Sequence, residues 1–374
     1  MRALTHTGLL TLILCQPALA QTTAQTAGQT IDTAAGPMTV QPVVQGLDGP
    51  WAFDTLPDGT ILITEIGGSL LSVRGGSATR VSGLPGDIAV GGQGGLLDIL
   101  VPSDFSDDRT LFLTYAKAQG RGAGTAVYRA TLSDDGTALE GGEVIFEMAP
   151  GDTTGRHFGS RLVEGLGDTL FVTIGERGDR PAAQDLSRHN GSVIRINRDG
   201  SVPSDNPFVG QDGAQPEIWS YGHRNPQGAA MDASGQLWVN EHGAQGGDEV
   251  NRVQKGANYG WPVISYGRHY SGAKIGEGTA QDGMEQPVHY WDPSIAPSGM
   301  VFYDGAVSDW QGNAFVGSLK FDYIARLAGD SMTEVEQIDL SDTGRIRDVG
   351  QGPDGLLWFL SEYEGGLYRL VPEG

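Results

Sequence analysis

The sequence predicts an all-β fold, a six-bladed β-propeller with a ligand site on one face near the central axis. Three observations predict it. Few windows place apolar residues at i, i+3, i+4 and i+7, whereas short β-rich runs bounded by turns dominate. Gly accounts for 58 of the 374 residues. That is about twice the usual share of roughly 7%, without a collagen-like period, as many tight turns require. Finally, one unit recurs six times at intervals of roughly 45–75 residues: an Asp- and Gly-rich turn, then an aliphatic or aromatic strand.

In chain order, Pro57-Asp58-Gly59-Thr60 leads into the strand at 61–64, and Asp107-Asp108-Arg109-Thr110 into 111–114. Gly165-Leu166-Gly167-Asp168 leads into 169–172, and Ala233-Ser234-Gly235-Gln236 into 237–240. Trp310-Gln311-Gly312-Asn313 leads into 314–316, and Pro353-Asp354-Gly355 into 356–359. Each interval suits one four-stranded sheet with its loops. Met38–Val44 is expected to pair with the last blade and close the ring, which protects the sheet edges without disulfides. An array of β-sandwiches with coincidental turns is the competing arrangement.

Residues 1–20 read as a secretory signal: Arg2, the apolar run at 9–14, and an Ala18-Leu19-Ala20 cleavage site. The one cysteine, Cys15, lies within it. A lipoprotein signal would use that thiol, but Leu14 before it is a poor match. Residues 21–37, rich in Gln, Thr, Ala and Gly, are expected to be a flexible leader, and 38–374 a single propeller domain. No later stretch reaches about 18 apolar residues, so no membrane span is expected. The expected location is periplasmic or secreted.

The chain carries 24 Lys plus Arg against 46 Asp plus Glu, a formal charge of −22. Such a surface repels phosphate backbones and excludes a nucleic-acid partner. Yet Arg224, Lys320, Arg345 and Arg347 fall in or near segments expected on one face. Converging blades would make them a polyanion site, although each alone could be an ordinary surface ion pair. The Arg345-x-Arg347 spacing puts both side chains on one face of a strand. His157, between Gly155 and Gly159, is either a base beside a ligand or a structural group; His223 is equally readable as an orienting residue. The loop from Glu241 to Glu249 alternates glycines with acids, and its freed carbonyls suit Ca²⁺, although it is not an EF-hand. No His-Glu-x-x-His, Gly-x-Ser-x-Gly or strand-to-helix Gly-x-Gly-x-x-Gly is present, which disfavours zincins, α/β-hydrolases and nicotinamide enzymes.

Several long motifs in register resemble the soluble quinoprotein sugar dehydrogenases, the glucose/sorbosone dehydrogenase family. They are Gly222-His223-Arg224-Asn225-Pro226-Gln227-Gly228, Glu241-His242-Gly243, Gly256-Ala257-Asn258-Tyr259-Gly260-Trp261-Pro262 and Arg345-Ile346-Arg347-Asp348-Val349. The resemblance runs from about Pro50 to Leu370, and the modest length is more similar to the aldose sugar dehydrogenase branch. It implies a six-bladed propeller that binds pyrroloquinoline quinone (PQQ), a planar tricarboxylate, together with Ca²⁺. Lys320, Arg345 and Arg347 would hold the carboxylates and edge oxygens, and Gln93 and Asn225 would add hydrogen bonds. Arg224 would lie at the reactive carbonyl, and Gly243 and Ala244 would give main-chain oxygens to Ca²⁺. His157 matches the general base of a reaction that oxidises the anomeric C1-OH of an aldose to a lactone. Electrons would then pass to an external acceptor, from a monomer or homodimer. Arg156, Glu176-Arg177 and Asp292 depart from the glucose-type pattern, so sugar preference does not carry over. A second, structural Ca²⁺ of the family would draw ligands near 259–266. The competing functions are a Ca²⁺-dependent propeller lactonase, whose site needs carboxylates around a metal, and a non-catalytic binding propeller.

Overall fold

A computed structural model describes residues 28–374 of the chain. The expected signal, with Cys15, lies outside the described residues. Six antiparallel sheets follow one another around a ring. From the axis outward, blade 1 comprises Pro50–Thr55, Ile61–Glu65, Ser69–Arg74 and Ser77–Val81. Blade 2 comprises Leu96–Leu100, Thr110–Gln119, Gly122–Leu132 and Leu139–Glu147. Blade 3 comprises Gly159–Gly165, Thr169–Ile174, Ser192–Asn197 and Ile218–Tyr221, and blade 4 Pro226–Met231, Leu237–Glu241, Asp248–Arg252 and His289–Trp291. Blade 5 comprises Pro297–Phe302, Ala314–Ser318, Tyr323–Ala328 and Thr333–Asp339. Blade 6 takes Ile346–Gln351, Leu357–Ser361 and Gly366–Pro372 from the C-terminal end. All six recurrent turns open the second strand of a blade.

The ring closes as expected. Gly36–Gln45 adds to blade 6 beside Gly366–Pro372, with Met38 opposite Pro372 and Gln45 opposite Gly366. The flexible leader expected over 21–37 is corrected from Gln29 onward. Gln29–Thr33 pairs with Gly36–Val40 as a fifth strand of blade 6. Its side chains bury little apart from Ile31, which packs partly against the core of blades 5 and 6, but the strand completes a ladder, and Ala34 N–H donates to Glu336 Oε1 of blade 5 at 2.6 Å. Backbone pairing and that tie hold a segment whose side chains gave no strand signal.

Apolar faces pack between neighbouring blades, around residues such as Tyr115 and Leu113 between blades 1 and 2, and Trp310 and Phe315 between blades 5 and 6. One feature positions the site. Every innermost strand shifts register against its neighbour within its first few residues, between Pro50 and Ala52, Leu96 and Ile99, Gly159 and Leu162, Pro226 and Gly228, Pro297 and Met300, and Ile346 and Asp348. A bulge re-aims side chains that regular alternation would send to opposite faces. Arg347 and Asp348 are adjacent, yet both reach the axis.

Candidate active site

The starts of the innermost strands and the loops beside them enclose a cavity of about 610 Å³. Trp51, Gln227 and Arg347, each the second residue of its bulged strand, line it together with Gln93, Asn225 and His242. Lys320, Arg345 and Glu362 complete its charged lining. A larger space of about 670 Å³ lies at the other strand ends, lined by turn residues such as Asp58, Arg109 and Asp134. It contains none of the expected site residues, so volume does not choose the site.

Beneath the cavity the axis is plugged by charge. Arg161 Nη1 lies 2.9 Å from Asp98 Oδ1, and Arg161 Nη2 lies 3.1 Å from Asp348 Oδ1. The guanidinium also sits 4.6 Å from the Trp51 ring centroid, below the cavity floor. Two carboxylates share one guanidinium in a dry interior, so burial raises both, Asp98 to about 6 despite its ion pair. Gly299 keeps this space open, since a Cβ there would lie 2.0 Å from Asp348 Oδ1.

The structure brings Gln93, Asn225, Lys320, Arg345 and Arg347 to the cavity wall. Arg347 donates to Gln227 Oε1 at 3.1 Å and to Glu362 Oε2 at 2.5 Å. Arg345, just before the strand, lies 3.5 Å from the same Glu362 oxygen. Burial alone would push the Glu362 carboxyl up, but the Arg347 and Arg345 charges hold it below its ordinary value. Lys320 Nζ donates to Ser294 O at 3.1 Å. The cavity therefore sets three cations against one carboxylate.

His157 and Arg224 stand beside the lining. His157 N–H donates to Gln93 Oε1 at 2.6 Å, and Gly159 N–H donates to Asn225 Oδ1 at 3.3 Å. His157 adopts φ 54°. Its carbonyl lies where a Cβ on Gly175 would approach to 2.0 Å, so glycine is needed for that contact. His157 Nδ1 is 2.9 Å from Glu176 Oε1. A carboxylate only accepts, so Nδ1 carries the proton and Nε2 keeps its lone pair. Burial lowers the His157 pKa, with the Arg224 charge adding to it against the opposing Glu176. The ring is neutral near pH 7.

Arg224 Nη1 donates to His242 O at 3.1 Å, and its guanidinium lies 5.3 Å from the Trp261 ring centroid. His223 is wholly buried between Glu241 Oε1 at 2.8 Å and Ser220 Oγ at 2.9 Å. Glu241 Oε2 accepts from Arg224 N–H at 2.6 Å, so His223 and Glu241 orient the Arg224–Asn225 turn. His242 Nε2 donates to Pro297 O at 2.8 Å, and burial with the Arg224 charge pushes its pKa down to about 3.

Two buried donors test the fit of an anionic, oxygen-rich group. Arg224 Nε and Asn225 Nδ2 have no acceptor among the described residues. A buried unpaired donor is costly, and a ligand carbonyl or carboxylate would satisfy both. For the metal, Gly243 N–H donates to Asp248 Oδ1 at 2.7 Å. A Cβ on Gly243 would lie 2.3 Å from the carbonyl oxygens of both Gly246 and Gly247, so only glycine fits this crowded turn. Ala244 O receives only a long contact of 3.4 Å from Ser294 Oγ, which leaves it capacity as a hard ligand. Among the described residues no three His, Cys, Asp or Glu side chains converge as a metal site. A cation here would rest on main-chain and ligand oxygens. Trp51 and Glu362 carried no sequence signal for the cavity, Gln227 lay in the motif at 222–228 without an assigned role, and Glu176 carried no signal for its bond to His157.

Comparison with known proteins agrees with the propeller fold. A glucose/sorbosone dehydrogenase family model matches residues 47–369. Aldose sugar dehydrogenase YliI of Escherichia coli is 46% identical over 352 residues, covering 90% of this chain and 94% of its own. The apo-form crystal structure of the soluble E. coli aldose sugar dehydrogenase superposes with a TM-score of 0.87 at 43% identity, over 90% of this chain and 100% of that one. A PQQ-bound aldose sugar dehydrogenase from Streptomyces coelicolor gives a TM-score of 0.75 at 25% identity, over 89% of this chain and 97% of that one.

Proposed function

The chain belongs to the glucose/sorbosone dehydrogenase family, and from that premise we propose that it oxidises the anomeric hydroxyl of aldoses to lactones with PQQ and Ca²⁺. The observation that carries this reading is the cation-lined cavity, with the buried donor Asn225 Nδ2 in its wall and Arg224 Nε beside it, both without acceptors. Lys320, Arg345 and Arg347 would hold the carboxylates of a planar tricarboxylate, and Gln93 and Asn225 its edge. Gly243 and Ala244 would offer carbonyls to Ca²⁺. PQQ, when bound, supplies the two-electron oxidant. His157 Nε2 takes the proton of the sugar's anomeric hydroxyl, while Glu176 holds the ring by its other nitrogen. Arg224 places a fixed positive charge where negative charge develops on oxygen. Trp51 and the charged plug below close the floor against water. A cationic wall suits an anionic group better than the carboxylate ring a lactonase metal needs.

The test is reconstitution with PQQ and Ca²⁺, followed by dye reduction with a panel of aldoses. Sugar-dependent reduction is expected with both additions. No reduction with any aldose would overturn the reading. Full activity with PQQ alone after chelation would remove Ca²⁺ from it.

A further inference from the structure

A second cavity of about 610 Å³ lies between blades 4 and 5, lined by Trp291, Asp292, Ile295, Phe321, Tyr323 and Asp339 among others. It adjoins the candidate active site through shared backbone. In the connection between the blades, Ile295 lines the groove and Ala296 the active-site cavity. In the next loop, Phe321 lines the groove, whereas Leu319 and Lys320 line the cavity. One thickness of chain separates the two spaces.

The groove's composition is unusual for a packing gap. Phe321 is 43% exposed; Lys320 Nζ lies 4.7 Å from its ring centroid, and Tyr323 lies parallel to it, with an interplanar angle of 1° and centroids 6.3 Å apart, leaving the exposed part of the ring to the groove. Exposed polar groups border this platform: Asp292 from the connection, and Gln337 and Asp339 from the outermost strand of blade 5. An anionic ligand would face two carboxylates, and a purely apolar one would leave them unpaired. A pyranose has an apolar C–H face that can lie on an aromatic ring and a rim of hydroxyls that carboxylates and amides can bind.

We propose that this groove is an accessory saccharide subsite, holding an inner sugar residue of an oligosaccharide whose reducing-end aldose enters the active-site cavity. The second half rests on the function proposed above; the binding of saccharide does not. The test uses the full chain loaded with PQQ and Ca²⁺, and two probes whose blocked anomeric carbon prevents oxidation, methyl α-glucoside and methyl α-maltotrioside. Calorimetric titration is expected to show the trioside binding about ten-fold tighter. Phe321→Ala should abolish that advantage, and Gln337→Ala, at an exposed strand position, should reduce it. With maltotriose as substrate, Gln337→Ala should raise KM while leaving glucose kinetics unchanged. Equal affinity for the two probes, or a trioside advantage that survives both substitutions, would overturn the subsite. If no aldose is oxidised but the trioside still binds through Phe321, the catalytic reading falls and the subsite stands.

Discussion

His157 has neighbours that pull its titration in opposite directions. Burial and the Arg224 charge favour the neutral ring, and Glu176 favours the charged one. The first pair wins, so the base form persists to lower pH than an ordinary histidine would allow. The sign for activity follows: rate falls as pH drops through the lowered His157 pKa, because an imidazolium cannot accept the sugar proton. Glu176→Gln removes the one influence that raises this pKa, so the acid limb of kcat should move further down in pH. Its rate should also fall, because an amide can present N–H to Nδ1 and upset the tautomer. His157→Gln should cost about 10²–10⁴-fold in rate while PQQ still loads, since the residues proposed to hold it are elsewhere. Single-turnover reduction of the loaded variants against pH checks both. An unshifted acid limb in Glu176→Gln, or a wild-type rate in His157→Gln, would remove the base assignment.

The elements that carry the site are the bulged starts of the innermost strands and the loops that flank them. The strand beginning at Ile346 shows why: Arg347 lines the cavity and Asp348 the axial plug from consecutive positions. Arg345→Ala or Lys320→Ala should weaken PQQ binding by about 1.5–3 kcal/mol each, the usual worth of a charge-assisted hydrogen bond. Titration of apo variants measures it; unchanged PQQ affinity with only a raised sugar KM would refute the assignment. Strands announced themselves in the sequence through local signals, so all six turns and the closing segment 38–44 were legible. The gathering of Lys320, Arg345 and Arg347 on one face was legible as a charge anomaly in an acidic chain, and His157 stood out by its flanking glycines. The axial plug was not, because Asp98, Arg161 and Asp348 come from three blades and meet only when the ring forms. Trp51 and Glu362 escaped for the same reason. The outermost strand at 29–33 escaped because it is held by backbone pairing, with side chains that read as a loose leader.

At the scale of the whole molecule, the fold depends on one non-local pairing between the two ends of the described chain. Gly36–Gln45 lies beside Gly366–Pro372 and buries Met38, Val40 and Val44, which contact the cores around blade 6. Gln29–Thr33 only extends that sheet, with mostly exposed side chains. The two segments should therefore respond very differently to truncation. Deleting residues 1–35 removes the outer strand and its tie to Glu336, and should lower the melting temperature by only a few degrees. Deleting residues 1–45 strips three buried side chains, each contributing about 1.5–3 kcal/mol by burial. It also leaves the strand at Gly366–Pro372 as an open edge. That loss is of the order of a domain's entire stability of about 5–15 kcal/mol. The longer truncation should fail to show a cooperative melt, and the cation-bearing loops of blades 5 and 6 would no longer be held in register with the rest of the cavity wall. Thermal unfolding followed by circular dichroism, with PQQ binding measured on the same samples, compares the two. A cooperative transition near the full-length temperature for the chain starting at residue 46 would show that the ring holds without its closing strand.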